Sequence, residues 1–196
     1  MNDQTALEDL QYIRKVIENS KRALIYNGMD YIVWGILVIV GLMATYVLAV
    51  SRIYFNYFWV WLVLVAAGWM FSAAGNKKSK DRLPRTFSDR IVSSVWLSSG
   101  IAMSILGFIG PSSGAFSAYY ISPMLSVVLG AAYFITGNIL ESRWFTYLSI
   151  GWWAGAIVMF FLPGIHSLFI MALMMLFFQT VPGIIIYIKY KQGMAV

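Results

Sequence analysis

The sequence predicts an all-α integral membrane protein: a six-transmembrane-helix bundle of three hairpins, preceded by an N-terminal cytoplasmic amphipathic helix. Three observations predict it. Hydrophobic residues make up 60% of the chain and charged residues 11%, far from the roughly 45–50% and 25% of soluble domains. The apolar residues gather into long runs, each near the roughly 20 residues that a helix needs to cross about 30 Å of hydrocarbon. Finally, six of the 14 Lys and Arg residues crowd into Gly75–Arg90, GNKKSKDRLPRTFSDR. Such a loop stays on the cytoplasmic side, because Lys and Arg cross poorly during insertion.

Residues 1–28 read as a helix outside the hydrocarbon. Thr5 and Glu8 have capping-box spacing, in which hydroxyl and carboxylate satisfy free amides of a first turn. Leu10, Ile13, Ile17 and Leu24 fall on one face at 100° per residue, with charges mostly opposite. A membrane-surface anchor is usually rich in Lys and Arg. Here Arg14, Lys15, Lys21 and Arg22 are balanced by Asp3, Glu8, Asp9 and Glu18. Zero net charge suits a protein partner, or the chain's own basic loop, at least as well as anionic lipid. No short apolar leader core occurs there, so no cleaved signal peptide is expected.

The bundle is expected over residues 29–188. Its spans fall at about 30–50, 57–74, 91–109, 123–140, 144–162 and 165–188. Gly75-Asn76 offers an easy left-handed cap for the second span. Thr86-Phe87-Ser88-Asp89 repeats the capping-box spacing before the third, and Gly110-Pro111 ends it. Residues 115–122 (AFSAYYIS) are too short to span and suit the outer interface, where Tyr rings favour the headgroup level. Ser122-Pro123 reads as an N-cap followed by Pro at the first helical position. Pro163-Gly164 is a tight outer turn, and residues 189–196 form a cytoplasmic tail.

On this layout 13 of the 14 Lys and Arg residues face the cytoplasm and Arg52 alone lies outside. That asymmetry predicts a bacterial inner-membrane protein with both termini cytoplasmic. Gly68 and Gly75-Asn76 recur as Gly130 and Gly137-Asn138 with the same spacing, a hint of hairpin duplication.

Composition also excludes chemistry. There is no Cys, hence no disulfide, thiolate metal site or thiol nucleophile. The basic charge borders spans, so topology explains it and no direct nucleic-acid contact is expected. No Walker motif, nucleophile elbow or paired catalytic carboxylates occur, so no enzyme is predicted and no cofactor or metal is assigned.

Ionisable or strongly polar groups within a membrane are functional candidates by default, because burying them in hydrocarbon is costly. Gln179 and Thr180 lie deep in the sixth span beside Pro182, which removes a backbone donor and crowds the turn before it. The expected result is a kink that strands the Phe178 carbonyl, with Gln179 either bonded to a neighbouring helix in a packing role or forming a polar pocket or hinge that faces the bundle centre. Asn138 and Glu141 close the fourth span and join the pocket candidates. His166, the single histidine, suits one axial position of a haem or pigment, or a hydrogen bond at the outer interface. Trp34, Trp59, Trp61, Trp144, Trp152 and Trp153 read as an interfacial belt. Lys77, Lys78, Lys80, Arg82 and Arg85, with the apolar face of residues 1–28, are candidates for docking a partner.

Leu10-Gln11-Tyr12-Ile13-Arg14-Lys15-Val16-Ile17-Glu18-Asn19-Ser20, then Trp34-Gly35 in the first span, resembles a group of bacterial six-helix membrane proteins often associated with winged-helix regulators. The group's last span reads His-x-x-x-Gly before a basic tail. This chain has Gln179-Thr180-Val181-Pro182-Gly183, with Lys189 and Lys191. The resemblance implies a membrane partner of a transcription factor. Small six-helix stress proteins with repeated hairpins are similar in layout.

The leading expectation is a non-enzymatic multi-pass protein that docks a protein partner on its cytoplasmic face, in a sensing, regulatory or assembly role. The alternatives are a small transporter or ligand-binding protein with a pocket near Gln179, and an accessory subunit holding a pigment or haem through His166. A homo-oligomer stays open.

Overall fold

The structure, a computed structural model, describes residues 28–53, 56–80 and 87–192, and of 76–80 and 190–191 the backbone alone. The amphipathic segment with Leu10, Ile13, Ile17 and Leu24, the loop residues Arg82 and Arg85, and the expected cap Thr86 lie outside the described residues.

Every described element is helical. We number them α1 (Gly28–Val50), α2 (Tyr57–Lys80), α3 (Phe87–Ser112), α4 (Ile121–Ile139), α5 (Arg143–Phe161) and α6 (165–191). All six are long and apolar enough to cross a membrane. The chain is thus a multi-pass membrane protein with apolar helix faces in contact with lipid.

α6 is the most enclosed of the six: half of its apolar window is buried, against 6% for α2 and for α3. Small residues explain how its neighbours approach, since van der Waals fit rather than a hydrophobic drive holds helices together in lipid. Gly28 and Gly35 of α1 face Ile186 and Thr180 of α6, and Gly183 of α6 faces Tyr31 and Ile32. On the other side, Gly151 and Gly155 of α5 receive Phe178 and Met174. Elsewhere a glycine repeatedly admits a Trp ring: Gly68 takes Trp34, Gly100 takes Trp69, and Gly130 takes Trp153.

That pattern bears on the spacing shared by α2 and α4. Gly68 and Gly130 both receive an indole, but from the preceding helix in one case and the following helix in the other. Gly75 has open space where Gly137 is pressed against Thr146. The two pairs therefore do not perform one repeated role.

Helix ends differ from the sequence expectation in three places. α2 runs through Gly75-Asn76 to Lys80, since the lysines beyond are good helix formers and the chain does not turn there. α3 continues past Gly110-Pro111 to Ser112, and the left-handed residue is Gly114 at φ 75°. Ser122 lies inside α4, which follows a 3₁₀ turn at Ala118–Tyr120 capped by Ser117. At the ends of α1 and α4 the left-handed position is filled by Arg52 (φ 54°) and Glu141 (φ 51°). Both ends form the same motif. Arg52 and Ile53 donate backbone N–H bonds to Ala49 and Leu48, and Glu141 and Ser142 donate to Asn138 and Gly137, which is the Schellman pattern normally built on glycine.

Two widened turns interrupt the helices. A π-helical turn covers Ile105–Ile109 in α3 and another covers Met175–Thr180 in α6. Each is followed two residues later by proline, Pro111 and Pro182. The Gly110 N–H reaches back to the Ile105 carbonyl and the Val181 N–H to the Leu176 carbonyl. A proline ring crowds the carbonyl four residues back, and widening the turn relieves the crowding while keeping a backbone bond, an adjustment membrane helices tolerate well. The irregularity expected at Pro182 takes the form of a π turn.

Candidate functional site

The π turn of α6 determines what its polar residues can reach. Adding a residue to the turn widens the buried face, so the consecutive residues Gln179 and Thr180 are both buried, at 4% and 5% exposure. Gln179 turns toward α4, where the Tyr133 hydroxyl donates to its Oε1 at 2.6 Å. Thr180 sits against Gly35 of α1 and donates its hydroxyl to the Met175 carbonyl, five residues back, at 3.1 Å. Pro182 is fully buried.

Aromatic rings close around this bond. Tyr133 stacks on Phe145 with centroids 5.6 Å apart, meets Trp96 edge-on at 5.4 Å, and lies 6.0 Å from Trp152. Tyr31 of α1 packs edge-on against Trp96 and Phe145. Tyr133, Phe145 and Trp152 are wholly excluded from solvent. Three polar atoms in this region have no hydrogen-bond partner: the indole N–H groups of Trp96 and Trp152, and the hydroxyl of Thr136, one turn along α4 from Tyr133.

A second polar chain joins α1 to α2 near the basic loop. The Trp34 indole donates to Ser72 Oγ at 2.9 Å, and Ser72 donates to Asp30 Oδ1 at 3.2 Å. An indole N–H only donates, so Ser72 Oγ accepts from Trp34 and keeps its own proton for the Asp30 carboxylate. Asp30 is therefore held as an acceptor.

Of the pocket candidates, the structure brings Gln179, Thr180 and Pro182 together. Asn138 is exposed and donates to the Phe134 carbonyl of its own helix at 2.8 Å. Glu141 is exposed at the left-handed end of α4. These two do not join the cluster. His166 is exposed in the first turn of α6, and no group of His, Asp and Glu able to hold a metal occurs among the described residues. For Lys77, Lys78 and Lys80 only the backbone, the end of α2, is described.

The interfacial belt needs correction. Trp59 is exposed, as a belt residue is, but Trp152 lies mid-helix in the core. Trp34, Trp61 and Trp153 donate across helices, to Ser72, Thr45 and the Val127 carbonyl. A buried indole usually finds an acceptor: for these three Ser, Thr and a backbone carbonyl supply it, whereas the Trp152 indole has none. Tyr133 and Thr136 were absent from the sequence candidates. The signal that would have found Tyr133 is its depth, some thirteen residues into α4, too far from either interface for a belt role.

No family model matches the chain, and no curated protein or solved structure is significantly similar to it.

Proposed function

We propose that this chain is a non-enzymatic six-helix bundle of three hairpins in a bacterial inner membrane, with both termini cytoplasmic, that docks a protein partner. The docking face consists of residues 1–28 and the Gly75–Arg90 loop, and the role is sensing, regulation or complex assembly. The observation that carries this reading is the filled interior: the polar groups near Gln179 are packed among the fully buried Tyr133, Phe145 and Trp152. With these interior positions occupied by side chains, this reading assigns protein recognition to the charged surface at one end. The one-sided distribution of Lys and Arg supports placing that end in the cytoplasm. The resemblance to proteins that accompany winged-helix regulators suggests a soluble regulator as partner.

The test is a deletion. Removing residues 1–24 should release the partner that co-purifies with the full chain from solubilised membranes, while the spans still insert. Retention of every partner by the truncated chain would overturn the reading.

A second reading is favoured by one observation, the unpartnered Thr136 hydroxyl and Trp152 indole beside the Gln179 bond. Buried polar groups are costly when unpaired, and a small transported or bound molecule would satisfy them. Gln179→Leu should then abolish binding and transport. Unchanged transport would dismiss a pocket at this place.

A further inference from the structure

Toward the ends of α2 and α3 away from the basic loop, a groove of about 610 Å³ lies between the two helices. Phe58, Leu62 and Trp69 form one wall, and Ile101, Ile105 and Ile109 the other. The wall is almost wholly apolar. Ser104, also at the groove, donates its hydroxyl to the Gly100 carbonyl at 2.8 Å, so it is satisfied within its own helix. The groove is open and suits an apolar occupant, and its outer residues Leu62, Ile101, Ile105 and Ile109 are exposed.

Its length identifies that occupant. The α2 wall runs from Phe58 to Trp69 and the α3 wall from Ile101 to Ser112. At about 1.5 Å rise per residue each wall is about 16 Å long. This is close to half of a hydrocarbon core about 30 Å thick, the depth of one leaflet. The inner end is marked by Trp69, whose ring fills the notch at Gly100. The outer end reaches Phe58 and Ser112, at the turns that leave the membrane.

We propose that this groove binds one acyl chain of a phospholipid from the leaflet opposite the basic loop, entering beside Phe58 and Ser112 and ending at Trp69. The π turn at Ile105–Ile109 supplies three of the lining residues, Ile105, Phe108 and Ile109. The widened turn therefore shapes the site as well as accommodating Pro111.

The test uses the full chain purified in mild detergent. Native mass spectrometry should show one diacyl phospholipid per chain, and Ile105→Trp, which fills the groove from an exposed position, should lower its occupancy at least tenfold. Leu62→Trp blocks the opposite wall and reads the same loss if Ile105→Trp does not fold. In vesicles of phosphatidylcholine brominated near the chain terminus, Trp emission should be quenched, with a distinct increment removed by Trp69→Phe. Equal lipid occupancy in wild type and both filling variants, or no increment from Trp69, would overturn the proposal. A lipid-free dimer of the wild type would also overturn it, by showing that a second copy of this chain covers the groove.

Discussion

The Tyr133 hydroxyl donates to Gln179 Oε1 at 2.6 Å, joining two helices through residues 46 positions apart. Both partners lie in the buried interior. Each removes the need for the other to find water, which is why a strongly polar amide persists inside a membrane span.

A double-mutant cycle should detect that dependence. Tyr133→Phe and Gln179→Leu should each destabilise the protein, and the pair together should cost less than their sum. The expected coupling is about 0.6 kcal/mol, reaching roughly 1.7 kcal/mol at most, in line with other interhelical hydrogen bonds in membranes. Reversible unfolding in mixed micelles measures it, and strict additivity would show that the bond contributes nothing.

Thr136→Val should be neutral or stabilising. The hydroxyl is buried and unpartnered, and a polar group in that state costs about 1–3 kcal/mol. A methyl group in its place removes the penalty at similar shape. The same unfolding assay checks this, and a clear loss of stability would mean that the hydroxyl is engaged by something else.

Gly35→Ala should loosen the α1–α6 contact. The added Cβ would collide with the Thr180 hydroxyl and approach its Cα to 3.3 Å, and Thr180 is tied to the Met175 carbonyl. Overpacking of this kind costs about 1–3 kcal/mol, more than the roughly 0.5–1 kcal/mol gained by replacing glycine in a helix. In a Thr180→Ala background the penalty should shrink. An equal penalty in both backgrounds would place the clash elsewhere.

Glu141→Gly should stabilise by about 1 kcal/mol, because only glycine adopts the left-handed conformation without steric cost. Arg52→Gly should act similarly at the end of α1, where the same backbone bonds recur. Thermal denaturation in detergent reads both, and Glu141→Val gives the opposite sign. A destabilised glycine variant would show that the exposed carboxylate makes a contact worth more than the strain.

Topology has its own measurement. The chain contains no cysteine, so Ser79→Cys introduces one thiol. A membrane-impermeant reagent should label it in inverted vesicles and not in intact cells. Labelling from the periplasm would overturn the cytoplasmic placement of the loop and the docking face with it.

Span number was legible in the sequence because insertion depends on the composition and length of each segment taken alone, and six helices are found where six apolar runs stand. Gln179, Thr180 and Pro182 stood out for the same reason: each conflicts locally with a membrane helix. Helix ends were less so. Gly75-Asn76 and Gly110-Pro111 permit termination without requiring it, whereas Arg52 and Glu141 terminate helices that their residue types would let continue.

Composition alone thus determined the class of molecule and the rough limits of its spans. Tertiary structure decided which groups meet. Whether Trp152 faces lipid or core, whether Asn138 joins Gln179, and whether Tyr133 reaches an acceptor all depend on how each helix is rotated against its neighbours. That rotation is set by glycine notches receiving side chains from other helices and by turns widened ahead of proline. These contacts link residues distant in the chain, and no single segment encodes them.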